Sequence, residues 1–162
     1  MPIRLILIFL LSLWAFDSLA TNKPLPLPRF AALRSSEVNV RTGPGARYEV
    51  KWVLVKKDMP VEITAEFDQW RKIRDVNGDE GWVHKSMLYG QRSGVINTAS
   101  AERVTLYKSA DTMSKPVLFV ENGVTGELLT CKREWCRMKI EGTKGWTLRQ
   151  NLWGVYKDEE FE

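Results

Sequence analysis

From residue 28 onward, apolar residues recur in short runs with a period of two, and the three-to-four spacing of an amphipathic helix is absent. Val38 and Val40 alternate with polar neighbours, the stretch from Trp52 to Val55 is a compact apolar run, and Val61, Ile63, Ala65 and Phe67 alternate again. Asn77-Gly78-Asp79 then marks a tight turn ahead of Gly81-Trp82-Val83. The cadence returns later with Leu129 and Cys131, then Cys136, Met138 and Ile140, around Gly142. Short strands at close spacing, separated by turn residues, predict an all-β chain in which each segment forms a small antiparallel barrel of about five strands.

The returning cadence is an internal repeat. Val38-Asn39-Val40-Arg41-Thr42-Gly43 matches Val104-Thr105-Leu106-Tyr107-Lys108-Ser109, Trp70 matches Trp135, Gly81-Trp82-Val83 matches Gly145-Trp146-Thr147, and Leu88-Tyr89-Gly90 matches Leu152-Trp153-Gly154. The offset between partners drifts only from 66 to 64. The expected organisation is therefore a first barrel over residues 33–90, a linker over 91–102, a second barrel over 103–156 and an acidic tail over 157–162. Ahead of them, a lead over 21–32 carries Pro24, Pro26 and Pro28 at every second position and favours an extended, polyproline-like course. It reads as a stiff spacer laying Phe30 and Leu33 onto the first barrel, with docking into a peptide groove of the same chain as the second reading.

Residues 1–20 read as a secretory signal peptide: Arg4 supplies the positive start, residues 5–16 (LILIFLLSLWAF) are continuously apolar, and Ser18-Leu19-Ala20 sets small residues at a cleavage site. The alternative is an uncleaved anchor, but about 12 apolar residues fall short of the roughly 20 that a spanning helix needs. Cleavage would start the mature chain at Thr21 and leave it periplasmic or secreted, without stable membrane insertion. Cysteine is absent before Cys131, so nothing near residue 20 is available for lipidation.

Formal net charge is +4, and it stays so when Arg4 and Asp17 leave together with the signal. Acidic and basic residues nearly balance within each repeat, and no basic stripe emerges to neutralise a run of phosphates, which argues against a nucleic-acid partner.

Cys131 and Cys136 are the sharpest local signal. If residues 132–135 form a connecting turn, strand alternation places Leu129, Cys131, Cys136, Met138 and Ile140 on one face and sets the two cysteines opposite each other. An exported protein folds in an oxidising compartment, so this pair is expected to form a structural disulfide. At the matching positions of the first repeat, assigned as Ala65 and Arg71, no bridge is possible. A redox motif ordinarily has two intervening residues at a helix start, and a zinc site lacks further ligands because His84 is the only histidine. No metal or cofactor is called for.

Glu37-Val38-Asn39-Val40-Arg41-Thr42-Gly43-Pro44-Gly45 resembles the "LNVRxGPG" opening of bacterial SH3-like domains, and Trp70 with Gly81-Trp82-Val83 resembles their closing pattern. The wider pattern, from Pro28-Arg29-Phe30 to Leu152-Trp153-Gly154-Val155-Tyr156, is similar to exported two-repeat SH3-like proteins of proteobacteria. The resemblance implies two tandem SH3-like barrels in a cell-envelope setting and supplies no ligand. In the second repeat Thr42-Gly43-Pro44-Gly45 is replaced by Lys108-Ser109-Ala110-Asp111, so a glycine-dependent turn there must be built differently, and the first repeat is the stronger binding candidate.

The chain holds seven Trp, a residue that serves small cores and adhesive surfaces alike. Trp135 falls out of step with Cys136, Met138 and Ile140, as Trp70 does with Ile73, so both are surface candidates as much as core ones. Trp52, Trp82, Trp146 and Trp153 are each compatible with core packing. If SH3 geometry holds, Arg47 and Tyr48 flank the same groove, giving Arg47, Tyr48, Trp70, Trp82 and Trp135 as the candidate ligand-binding set.

Catalytic constellations are not found. His84 lies in the other repeat from the cysteines, no two carboxylates stand out as acid and base, and Gly43-Pro44-Gly45 lacks the Lys-Ser/Thr and helix of a phosphate loop. The expected function is non-catalytic binding of a cell-wall peptide or glycan. A scaffold for an envelope protein is the alternative, with the repeats as a bivalent unit, and a cell-wall hydrolase comes third.

Overall fold

The computed structural model describes residues 24–99 and 103–162, so the signal-peptide expectation lies outside the described residues. The first repeat contains β1 (Arg29–Leu33), β2 (Val38–Arg41), β3 (Val50–Leu54), β4 (Pro60–Phe67), β5 (Trp70–Arg74), β6 (Glu80–His84) and β7 (Leu88–Tyr89). The second contains β8 (Ser93–Ile96), β9 (Arg103–Tyr107), β10 (Pro116–Glu121), β11 (Thr125–Lys132), β12 (Trp135–Ile140), β13 (Thr143–Leu148) and β14 (Leu152–Trp153). Each repeat is one antiparallel sheet, ordered β3-β2-β6-β5-β4-β1-β7 and β10-β9-β13-β12-β11-β8-β14. The two orders are identical strand for strand, and the curled sheets do not close by hydrogen bonding. One 3-10 turn precedes the last strand of each, at Lys85–Met87 and Arg149–Asn151.

The expected five strands correspond to β2–β6, and each repeat adds a strand before and after them. Part of the lead is β1, which pairs with β4 and β7, and part of the expected linker is β8, which pairs with β11 and β14. Both first strands are inconspicuous in sequence because Ala31-Ala32 and Ser93-Gly94 are too small to read as strand-forming apolar residues.

Strand alternation builds each core. Leu33, Val38, Val40, Val61, Ile63, Ile73 and Val83 fill the first. Leu106, Leu128, Cys131, Cys136, Met138 and Ile140 fill the second. The expected alternation fails at one equivalent place in each repeat, where a β-bulge interrupts β4 between Ile63 and Ala65 and β11 between Leu128 and Thr130. Past the bulge the inward face changes, since the extra residue shifts the period of two. Hence Phe67 is 61% exposed, and Leu128 rather than Leu129 is buried in the core.

Gly81 and Gly145 explain the repeated Gly-Trp pair. A Cβ at Gly81 would overlap Val40 Cγ1 and lie 3.0 Å from the Arg41 carbonyl, and one at Gly145 would lie 2.7 Å from Leu106 Cβ. Each glycine lets two strands approach inside the fold while the tryptophan beside it points outward.

The repeats pack on each other. Phe30, expected on the first barrel, instead meets Trp153 edge-on at 5.0 Å and Tyr156 at 4.7 Å between ring centroids. Leu33 does enter the first core, but Phe30 has the opposite parity in β1, beside its cross-strand neighbour Glu62. Tyr156 Oη donates to Glu62 Oε1 at 2.9 Å, and Lys56 Nζ donates to the Gly123 carbonyl at 2.8 Å.

Candidate functional site

Cross-strand register places the tryptophans. In the first repeat Trp70 faces His84 and Lys72 faces Trp82 across β5 and β6, while Arg41 faces Trp82 across β2 and β6. Trp70, His84, Trp82 and Arg41 therefore share the outer face, opposite the buried Ile73, Val83 and Val40. The Trp70 and His84 rings meet edge-to-face at 5.5 Å. Beside them lies an open cleft of about 250 Å³, lined by Asn39, Arg41, Trp70, His84 and Met87 among others. His84 Nδ1 lies 2.7 Å from Ser86 Oγ and accepts from Ser86 N at 3.3 Å, which fixes the ring at the start of the 3-10 turn.

Arg41 joins this cleft to the loop that follows β2. Its Nη1 donates to the carbonyls of Tyr48 at 2.7 Å and Ala46 at 3.2 Å. Above the loop, the Arg47 guanidinium stands 5.1 Å from the Tyr48 ring centroid, and its Nη2 donates to Tyr48 Oη at 3.3 Å. That contact raises the Arg47 pKa. Farther along the face Lys72 and Arg74 both pair with Glu80, and hydrogen bonding to Lys72 holds that carboxyl below the usual range.

The loop corrects the expectation of a glycine-dependent turn. Gly45 N donates to Gly43 O and Tyr48 N to Gly45 O, and in the second repeat Asp111 N donates to Ser109 O and Ser114 N to Asp111 O. The backbone turn is thus the same, and neither Gly43 nor Gly45 has positive φ. Gly43 is needed for space: a Cβ there would sit 2.5 Å from Tyr48 Cδ1. Where Tyr48 has its counterpart in Ser114, the glycine is dispensable, and Ser114 Oγ accepts from Ser109 N instead.

Trp135 does not join the first-repeat groove. It lies on the equivalent outer face of the second repeat, edge-to-face with Tyr107 at 6.0 Å. Arg137 faces Trp146 across β12 and β13, and Trp146 faces Tyr107 across β13 and β9. The candidate set therefore divides between two faces: Trp70 and Trp82 with Arg47 and Tyr48 at one end, and Trp135 on the other repeat. Arg41, Tyr107, Trp146 and His84 lie outside the set that the sequence suggests. Carrying the period of two along Gly81-Trp82-Val83-His84 and Val38-Asn39-Val40-Arg41 places them.

Cys131 and Cys136 form the expected disulfide, with sulfurs 2.05 Å apart. Their first-repeat counterparts are Glu66 and Arg71, not Ala65 and Arg71, because Glu66 faces Arg71 in the register in which Cys131 faces Cys136. The acidic tail over residues 157–162 is docked on the second repeat. Phe161 and Cys131 exchange two backbone hydrogen bonds at 2.9 and 3.1 Å, and Arg149 Nη1 donates to the carbonyls of Tyr156 and Glu159 at 2.7 and 2.6 Å.

Among the described residues, no group of three His, Cys, Asp or Glu is placed to hold a metal ion, and no helix is long and apolar enough to cross a membrane. Similar solved structures include NlpC2 from Trichomonas vaginalis, at TM-score 0.38 and 14% identity over 84% of this chain and 51% of that one. An NlpC/P60 family protein from Bacillus cereus gives 0.34 and 13% over 76% and 55%. The chain thus spans about half the length of these structures. No curated protein sequence matches it. The bacterial SH3 domain matches twice, over residues 34–90 and 100–154. With both repeats matched over more than half of its length, the chain belongs to the bacterial SH3 domain family, as two tandem copies.

Proposed function

We infer that the protein is a non-catalytic binding module of the bacterial cell envelope, and that the first repeat takes a short peptide or sugar segment of peptidoglycan. The observation that carries this reading is the cleft beside Trp70, where an aromatic wall of Trp70 and His84 adjoins the Arg41 guanidinium and the Asn39 amide. A ring offers a stacking surface for a sugar face or an aliphatic peptide side chain, and guanidinium and amide supply directional donors for carboxylate and carbonyl groups. Family membership supports the setting, since bacterial SH3 domains commonly bind cell-wall components. Export through the residue 1–20 segment would place the module in the periplasm or outside the cell.

Co-sedimentation with purified sacculi tests it. The mature chain should be retained, and Trp70→Ala combined with Tyr48→Ala should release it. Retention of the double variant at the wild-type level would remove this groove from consideration. Turnover of muropeptides by the purified chain would overturn the non-catalytic part.

A further inference from the structure

The two repeats share their topology, and their first strands carry equivalent arginines. Leu33 faces Leu88 and Ile96 faces Leu152, which makes Arg29 the counterpart of Arg92 and Lys85 that of Arg149. The same pairing holds in the backbone, since Lys85 N donates to Gln69 O and Arg149 N to Glu134 O, each at 2.8 Å.

In the second repeat these two cations hold the chain's own C-terminal segment. Arg92 Nη2 lies 2.7 Å from Glu159 Oε2, and its guanidinium stands 4.8 Å from the Phe161 ring centroid. Arg149 grips the backbone carbonyls of Tyr156 and Glu159, Phe161 packs against the core, and its backbone bridges to Cys131. The site therefore holds a segment that turns over Tyr156–Glu159, where Glu159 N donates to the Tyr156 carbonyl at 3.2 Å, and that sets a carboxylate and an aromatic ring two residues apart.

In the first repeat the corresponding place is a cavity of about 460 Å³. Arg29, Arg71 and Lys85 line it together with Arg92, which Glu159 already engages, and Ile63, Leu88 and the lead residues Leu25 and Pro26 supply apolar wall. Glu66 pairs with Arg29 and Arg71, leaving Arg29 Nη1 buried without an acceptor and Lys85 without a carboxylate partner among the described residues. Cationic donors beside an apolar surface complement an acidic and aromatic segment.

We propose that this first-repeat cavity docks a segment of a partner protein with the chemistry of residues 156–162 of this chain, an acidic turn followed by an aromatic residue two positions after a glutamate. The site is separate from the Trp70 cleft, so it would let the module hold a protein while the outer face holds wall.

The test is fluorescence anisotropy with a labelled peptide of the sequence YKDEEFE, titrated with the full mature chain. Saturable binding is expected, weakened at least tenfold by Lys85→Glu or Arg29→Gln in the protein. Replacing the fifth peptide residue, the Glu before Phe, with Gln should have little effect, while Gln at the fourth position together with Ala for Phe should weaken binding at least tenfold. Lys85 is exposed, so its variant should fold even if Arg29→Gln does not. No saturable binding, or binding unchanged by Lys85→Glu, overturns the proposal, the latter because the peptide would then be displacing the native tail from the second repeat. Displacement of the peptide by soluble muropeptides overturns it as well, by making the cavity a wall site.

Discussion

Arg71 Nε stands 2.9 Å from Glu66 Oε1, at the cross-strand positions that Cys131 and Cys136 occupy in the other repeat. One hairpin locks its β-bulged corner with an ion pair, the other with a covalent bond. Since the registers coincide, Glu66→Cys with Arg71→Cys should form a second disulfide on oxidative folding. Thiol titration after denaturation checks it: no free thiols are expected, whereas two reactive thiols per chain would contradict the equivalence. Cys131→Ser with Cys136→Ser should cost about 2 kcal/mol for so short a loop, read from denaturant midpoints.

The same carboxylate sets an acid dependence. A hydrogen bond from Arg29 holds Glu66 below its ordinary value of 4.5, with burial opposing and the charges of Arg29 and Arg71 adding. Folded Glu66 binds its proton less readily than unfolded Glu66, so its contribution to stability is present in full above the ordinary value and is lost as pH falls through the lower, folded one. The melting temperature of the wild type should therefore fall more than that of Glu66→Gln between about pH 6 and about pH 3. Parallel curves would show that the pair contributes nothing.

Arg149 is only 6% exposed and donates to three carbonyls, those of Arg133, Tyr156 and Glu159. Arg149→Met keeps the side-chain length and leaves those acceptors without a donor, a change expected to cost about 3 kcal/mol. Chemical denaturation measures the loss, and limited proteolysis should find residues 157–162 newly cleavable. A tail still protected in this variant would mean that Phe161 and the Cys131 bridge suffice.

Phe30 couples the repeats through Trp153 and Tyr156. Truncating this half-buried ring to Ala should cost about 2 kcal/mol, below the range for a fully buried Phe. Calorimetry should show one cooperative transition for the wild type and two for Phe30→Ala. An unchanged single transition would place the coupling elsewhere.

The repeat, its strands β2–β6 and the disulfide are legible in the sequence, because Val38-Val40, Ile73, Met138 and the paired Gly-Trp motifs carry a period of two that turns interrupt at regular intervals. The outward setting of Trp70 and Trp135 follows from the same parity. What escapes is non-local. The bulges beyond Ile63 and Leu128 leave no residue signature, the small side chains of β1 and β8 hide two strands, and the docking of the tail depends on Arg149, which nothing nearby in sequence marks as a clamp. The cleft beside Trp70 is half legible: its tryptophan is conspicuous, but Arg41 and His84 join it only once β2, β6 and β5 lie side by side.

The claim that the first repeat's outer face is the binding surface is tested most directly by a nitrogen-15 NMR titration of the protein with soluble muropeptides. Shifts should concentrate at Asn39, Arg41, the Trp70 indole and His84, and should vanish in Trp70→Ala. Shifts confined to the second repeat, or none at saturating ligand, would contradict the account.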